Sequence, residues 1–171
     1  MEELFDIYDE NKNKLGRTKV RYKDTIEEGE YAIGVQAIII NSKKQILISQ
    51  RSAQKSIYPL KWECNGGAVL AGETFVQGLV REIYEELGIR LKEEDAIYFN
   101  SIKRSRSFKE IYLFKKDLEI SELRFADGEA IAGKWVDIEE FLKMVKSGEI
   151  VENINFSEED YYKSLELLNL K

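Results

Sequence analysis

The stretch that decides the fold is Gly67-Ala-Val-Leu-Ala-Gly-Glu73, followed after seven further residues by Arg81-Glu-Ile-Tyr-Glu-Glu-Leu-Gly-Ile89. Its second half carries the glutamates Glu82, Glu85 and Glu86, whose offsets of 0, +3 and +4 place them on one face of a helix. Carboxylates so close together repel each other, and folding alone does not require them. Hard divalent cations such as Mg²⁺ and Mn²⁺ prefer oxygen ligands of this kind, often together with substrate phosphates. The pattern therefore predicts a metal-dependent phosphate site.

The residues around these glutamates fit the same interpretation. Arg81 lies eight residues after Glu73 and four before Glu85, so its planar guanidinium could hold both carboxylates in orientation. Gly66 and Gly67 would allow a loop to pass close to the metal, with a Gly67 backbone carbonyl as a further ligand. The alternative is an ordinary solvated acidic helix face, which explains the paired glycines and the distance to Glu73 poorly.

Composition and charge narrow the class of protein. A chain of 171 residues that is 43% hydrophobic and 34% charged is typical of one globular domain. The net charge of −6 argues against broad affinity for nucleic acid or membrane surfaces, and no apolar run approaches the roughly 20 residues that span a bilayer. The acidic start lacks a signal-peptide layout, which predicts a cytoplasmic location. Cys64 is the only cysteine, so no internal disulfide can form, and histidine is absent, which removes imidazole as a metal ligand or general base.

The hydrophobic pattern predicts an α+β fold in which a mixed β-sheet is sandwiched between α-helices, with an N-terminal β-hairpin in residues 1–22. The strands at 31–40 and 45–50 are expected to form the central hairpin of the sheet. The pair Gly66-Gly67 adds a backbone that is able to take unusual angles. Strands are predicted over residues 4–8, 15–20, 31–40, 45–50, 96–102, 110–116 and 133–136. Helices are predicted over residues 74–87, 138–147 and 158–168.

The stretch 67–89 resembles the Nudix box, G-x5-E-x7-R-E-U-x-E-E-x-G-U with U a bulky aliphatic residue, and matches it at every defined position. The order of the flanking strands and helices also resembles the Nudix fold, which implies a single Nudix domain over residues 1–171. The resemblance implies hydrolysis of a nucleoside diphosphate linked to another group, or of another small diphosphate, with Mg²⁺ or Mn²⁺. It also implies that Glu82, Glu85 and Glu86 bind the metal, oriented by the pair Arg81 and Glu73.

Other site residues are expected on the same grounds. Glu85 or Glu86 is expected to act as the general base, and Glu129 is an extra base or ligand if it is not simply an exposed loop acid. Arg51 ends a strand where related enzymes often place an arginine that contacts phosphate. Lys61 and Arg104 would add positive electrostatic potential near bound phosphates. The candidate substrate-binding residues are Arg51, Lys61 and Arg104.

Two alternative functions remain at this point. The hairpin and the segments 49–52 and 58–62 resemble the branch of the family that includes isopentenyl diphosphate isomerase, with Cys64 as the acid or base. Those isomerases hold an essential metal through several histidines, which this chain lacks, and they depart from the complete box found here, so hydrolysis is favoured. A catalytically silent nucleotide-binding domain would be expected to lose the metal-binding glutamates.

The open edge of the hairpin could pair with a second subunit, which suggests a homodimer.

Overall fold

The structure, a computed structural model, describes residues 2–151 and 156–170. It is an α+β fold with a mixed sheet between helices, as predicted. No helix within these residues has the length and apolar character needed to cross a membrane. The strands are β1 (Leu4–Tyr8), β2 (Lys14–Val20), β3 (Ala32–Ile40), β4 (Ile46–Arg51), β5 (Trp62–Glu63), β6 (Gly66–Ala68), β7 (Ile97–Lys103), β8 (Ser107–Lys115) and β9 (Ala130–Val136). The helices are α1 (Phe75–Leu87), α2 (Ile138–Ser147) and α3 (Glu158–Leu167).

The centre of the sheet is β3, which separates from β4 soon after their shared turn. The two strands pair at Ile40 and Ile46, and β4 then pairs with β9 and β5 instead. Beside β3, the place that β4 leaves is taken by β6, while β8 runs parallel to β3 along its other edge. The predicted central hairpin is therefore confirmed only at its turn. The gap between the separated strands holds the segment that joins β5 to β6.

Both faces of the sheet are buried, which explains the continuous apolar run at the end of β3. Ile38 and Ile40 point towards a cluster that contains residues of α2 and α3. Val35, Ala37 and Ile39 point the other way, into a cluster that includes the buried face of α1. Side chains alternate between the two faces of a strand, so a strand that is covered on both sides is apolar at consecutive positions.

The N-terminal hairpin is joined to the domain rather than projecting from it. Tyr8 and Tyr31 exchange backbone hydrogen bonds of 2.9 Å in both directions. From the hairpin turn, Lys12 Nζ reaches the buried carboxylate of Glu110 at 2.9 Å and the Ser101 hydroxyl at 3.1 Å. Among the strands that the structure describes, β2 pairs only with β1, and pairing of the hairpin with a second subunit stays a prediction.

Gly66 and Gly67 do not use the unusual backbone angles that glycine allows. Both residues belong to β6, and neither lies in the left-handed region. Lack of space explains both glycines: a Cβ atom at Gly66 would lie 1.9 Å from the Val35 carbonyl oxygen, a backbone atom, and one at Gly67 would lie 2.1 Å from the carboxyl carbon at the end of the Glu82 side chain. The paired glycines did mark a structural constraint, but its cause is the close packing of β6 against its neighbours rather than backbone conformation.

Candidate active site

The helix α1 is fixed at both ends, which sets the direction of its glutamates. Thr74 accepts a hydrogen bond of 3.1 Å from the Gln77 amide, while the Gln77 side chain accepts one of 3.0 Å from the Thr74 amide. At the other end Gly88 is left-handed, with φ of 71°, and confirms the predicted stop. Leu79, Ile83 and Leu87 are buried in the core. The glutamates between them therefore face β6 and the open cleft beside it.

Arg81 joins the two halves of residues 67–89, the diagnostic stretch. Its guanidinium donates to both oxygens of Glu73, at 2.7 and 3.1 Å, and to the Ala68 carbonyl at 2.9 Å. Its Nη1 atom donates to Glu82 at 3.0 Å and to Glu85 at 2.9 Å. Burial acts to raise the pKa of Glu73, but the hydrogen bonds from Arg81 and the Leu70 amide outweigh it and hold that pKa below its usual value. The structure thus brings Arg81, Glu73 and Glu85 together as the spacing indicated.

Glu86 is the most enclosed of the candidate metal ligands. Its Oε2 atom accepts a hydrogen bond of 3.0 Å from Asn65, whose Oδ1 atom accepts one of 2.7 Å from Ser49. Burial raises the pKa of Glu86 to about 8; the Asn65 hydrogen bond opposes this, and the charges of Glu63, Glu82 and Glu129 add to it. Ser49, Asn65 and Glu86 therefore form a hydrogen-bonded chain from β4, across the gap in the sheet, to α1.

Glu82 is also held away from solvent, against the backbone of β6. Burial raises its pKa, against the opposing effect of Arg81. By contrast, the Glu85 side chain is 58% exposed, so it is better placed than Glu82 to change its orientation. The helix therefore offers two enclosed carboxylates and one accessible carboxylate to the same cleft.

All of these glutamates border one cleft of about 720 Å³. Lys55 and Glu129 also line it and form an ion pair with each other. Arg51 donates to Glu63 at 2.7 Å and to the Ile57 carbonyl at 2.9 and 3.1 Å. Cations and carboxylates are thus interleaved around the cleft. Its lining residues outside the N-terminal segment are Arg51, Lys55, Gly66, Gly67, Glu82, Glu85, Glu86, Ala126, Asp127 and Glu129.

Two predicted substrate-binding residues lie away from this cleft. Lys61 does not line it, and its Nζ atom lies 5.6 Å from the centre of the Tyr58 ring. Arg104 lines a second cavity of about 330 Å³, which shares Arg21, Gly66 and Gly67 with the cleft. The structure therefore groups Arg51 and Glu129 with the glutamates of α1, places Arg104 in the neighbouring cavity, and leaves Lys61 outside.

The described ranges 2–151 and 156–170 contain no group of three or more Asp, Glu, Cys or His side chains already arranged around a metal position. Glu82 and Glu85 share Arg81, and Glu86 is bonded to Asn65. The chemistry of the donors nevertheless fits a hard cation, because the carboxylates that border the cleft supply oxygen ligands only. The glycine at position 67 also keeps a β-carbon out of the space beside the Glu82 carboxylate.

Cys64 lies in the hydrophobic core and is 2% exposed, although it also borders the second cavity. Burial raises the pKa of its thiol to about 12. A thiol with so high a pKa is poorly suited to transfer protons near neutral pH. This environment weighs against the isomerase alternative, in which Cys64 is the acid or base.

Several residues that line the cleft, or that contact its lining residues, escaped the sequence analysis. Asn65 and Glu63 belong to the segment of β5 and β6, which was not predicted as strand. The signal that the sequence offered for Asn65 was a polar residue directly before the paired glycines. Arg21 and Tyr22 follow the N-terminal hairpin, and nothing in the local sequence indicates that they line the cleft.

Comparisons with a family model, with curated relatives and with solved structures agree with one another. The family model described as the NUDIX domain matches residues 30–153. An uncharacterised Nudix hydrolase from Listeria monocytogenes is 30% identical over 170 residues, which is 99% of this chain and 95% of the relative. One from Listeria innocua is 30% identical over 150 residues, 87% of this chain and 88% of the relative. A crystal structure of a Deinococcus radiodurans protein superposes with a TM-score of 0.71 at 26% identity, covering 86% of this chain and 91% of that one.

Proposed function

This chain belongs to the Nudix family and is a pyrophosphohydrolase, and on that premise we propose that it hydrolyses the diphosphate linkage of a nucleoside diphosphate joined to another group, with Mg²⁺ or Mn²⁺. The observation that carries the proposal is the grouping of Glu82, Glu85 and Glu86 with Arg51 in one cleft. Carboxylates suit a hard cation, and a guanidinium suits the phosphate oxygens that such a cation also binds. A cytoplasmic location stays a prediction from the sequence.

The proposed metal ligands are the carboxylates of Glu82, Glu85 and Glu86, with the Gly67 carbonyl as a further donor. A bound cation would polarise the phosphoryl group and lower the pKa of a coordinated water. The chain's own contribution is to orient the ligands: Arg81 holds Glu82 and Glu85, and Asn65 holds Glu86. Such supporting hydrogen bonds fix the direction of a ligand before the cation arrives.

Substrate positioning is assigned to two cations that line the cleft, Arg51 and Lys55. Arg51 is fixed by Glu63 and by the Ile57 carbonyl, so its guanidinium is already oriented. Lys55 is paired with Glu129 and would be released towards a phosphate if Glu129 turned towards the metal or the attacking water. In phosphoryl transfer the protein acts mainly through positioning and charge stabilisation, and both groups serve those roles.

The general base is proposed to be Glu85 or Glu86, with Glu129 as the alternative. Glu85 is the most exposed carboxylate of the box and therefore has access to water in the cleft. Glu86 is better oriented, through Asn65 and Ser49. A base must lie within hydrogen-bonding reach of the proton that it accepts, so replacing each residue in turn will distinguish them.

The experiment that tests this proposal is a substrate panel. Nucleotide sugars, dinucleoside polyphosphates, nucleoside triphosphates and prenyl diphosphates are each incubated with the protein and Mg²⁺ or Mn²⁺, and the products are identified. We expect cleavage within the diphosphate of at least one nucleoside derivative, and no isomerised prenyl diphosphate. Isomerisation, or the absence of hydrolysis across the whole panel, would contradict the proposal.

A further inference from the structure

The N-terminal hairpin supplies one wall of the cleft, although it precedes residues 30–153 of the family match. Its position is fixed from several directions besides the contacts of Tyr8 and Lys12. The Leu4 carbonyl accepts a hydrogen bond of 2.8 Å from Ala71, and Asp6 accepts one of 3.0 Å from Gly72. These contacts join β1 to the loop that begins the diagnostic stretch. The wall is therefore held in place relative to the glutamates.

The turn after β2 carries this wall into the cleft. Val20 accepts backbone hydrogen bonds from Lys23 at 3.2 Å and Asp24 at 3.0 Å, and its own amide donates to the Asp24 carboxylate at 2.7 Å. These hydrogen bonds hold residues 20–24 in a defined turn. The residues of this wall that line the cleft are Glu2, Glu3, Val20, Arg21, Tyr22 and Lys23.

The charges on the wall are already paired with each other. Arg21 donates to Glu3 at 2.7 Å, and Lys23 forms an ion pair with Glu2. The group that these contacts do not account for is the ring of Tyr22.

Tyr22 is 91% exposed, so its ring contributes little to the core. The Arg21 guanidinium lies over this ring at 4.7 Å from its centre. The backbone of Tyr22 is left-handed, with φ of 64°, which is uncommon for a bulky residue and costs conformational energy. An aromatic ring is thus held at the cleft, at some cost, by a turn that does not bury it.

We propose that Tyr22 recognises the base of the nucleoside substrate by stacking on it, while the Arg21 guanidinium supports the ring. This inference rests on the proposed function and adds the residue that selects a nucleoside over an aliphatic group. Stacking on an aromatic side chain tolerates different bases, because every base presents a π-face. The phosphates of the same substrate would then extend along the cleft towards the glutamates of α1.

The test measures binding by calorimetry in Mg²⁺, with ADP and inorganic pyrophosphate as probes. Tyr22→Ala should weaken ADP binding by about tenfold, within the range found for loss of one base–aromatic stack. Tyr22→Phe keeps the ring and should bind ADP as the wild type does. Tyr162→Ala is the matched control, because Tyr162 is an exposed tyrosine on α3 that does not line the cleft. Pyrophosphate affinity should be the same in all four proteins.

A purely structural role for Tyr22 is tested with Tyr22→Gly. Glycine adopts the left-handed backbone without strain, so this variant should keep or raise the melting temperature while losing ADP affinity. Unchanged ADP affinity in Tyr22→Ala, or an equal loss for ADP and pyrophosphate, would overturn the inference. If the wild type hydrolyses a nucleoside diphosphate derivative and Tyr22→Ala has an unchanged KM, only this inference fails. If the wild type hydrolyses no substrate of the panel, the proposed function fails, and this inference, which rests on it, fails as well.

Discussion

Replacing Glu86 by glutamine is expected to lower kcat on the best substrate by about 100-fold or more, because it removes one of the proposed metal ligands. Glutamine keeps the size of the side chain and can keep the contact with Asn65. It also removes a carboxylate whose pKa in the folded protein, about 8, lies above the usual value of 4.5. In the unfolded chain Glu86 loses its proton near pH 4.5, whereas the folded protein keeps it until about pH 8. The free energy of unfolding therefore falls as the pH rises from about 4.5 to 8, and Glu86→Gln should melt at the same temperature as the wild type or higher at pH 8.

Glu85→Gln should lower kcat similarly, since it changes the accessible ligand and candidate base. The matched control is Glu166→Gln, at an exposed glutamate of α3 that does not line the cleft, and it should leave kcat and KM within about twofold. Steady-state kinetics and thermal melting of the three variants measure both effects. Wild-type turnover in both Glu85→Gln and Glu86→Gln would show that the site is wrongly assigned.

The paired glycines should give opposite results when each is replaced by alanine. At Gly66 the added Cβ would lie 1.9 Å from the Val35 carbonyl oxygen and 2.7 Å from the Gln36 Cα atom, and both are backbone atoms of the central strand. Gly66→Ala is therefore expected to lose at least about 3 kcal/mol of unfolding free energy, since β6 must move. At Gly67 the three atoms nearest to the added Cβ all belong to the Glu82 carboxylate, the closest at 2.1 Å. Gly67→Ala should fold but lose at least about tenfold in kcat, because Glu82 is displaced from its proposed ligand position.

Gly34→Ala is the control for this pair. Gly34 lies on β3 opposite Ala68 of β6, but its Cβ would make only ordinary contacts, of 3.6 Å to the Gly67 carbonyl oxygen and 3.7 Å to that of Phe108. Its melting temperature should stay close to that of the wild type. Urea unfolding and kinetics of the three variants separate the loss of fold from the loss of activity. A stable Gly66→Ala, or a fully active Gly67→Ala, would contradict the packing described here.

The sequence was most informative where the interacting residues are close along the chain. The extent of α1 and its stop at Gly88 follow from local sequence signals, and the contact of Arg81 with Glu85 follows from helical spacing. The contact of Arg81 with Glu73 spans only eight residues of the chain, and the structure contains it too. The alternation of apolar residues likewise predicted the main strands. A short sequence separation leaves few geometries open, so a pattern of residues determines the contact.

Long-range contacts could not be predicted in the same way. Asn65 meets Glu86 only because β3 and β4 separate and admit the short strand β6 between them. Tyr22 reaches the cleft only because the hairpin docks on the loop at Ala71. Lys61, by contrast, looked suitable for binding phosphate from its charge alone, but it lies just before β5 with its Nζ atom 5.6 Å from the centre of the Tyr58 ring. Charge shows what a side chain can bind, whereas the packing of distant strands decides where it lies.

The measurement that tests the central claim most directly is the initial rate of hydrolysis of the best substrate by the wild-type protein as free Mg²⁺ is varied. The protein is first treated with EDTA, and Mg²⁺ is then restored over a wide concentration range, with Mn²⁺ in a parallel series. If the glutamates of α1 hold a catalytic cation, the rate should fall to background in EDTA and recover along a saturable curve. A rate that persists in EDTA and does not respond to added Mg²⁺ or Mn²⁺ would contradict the account.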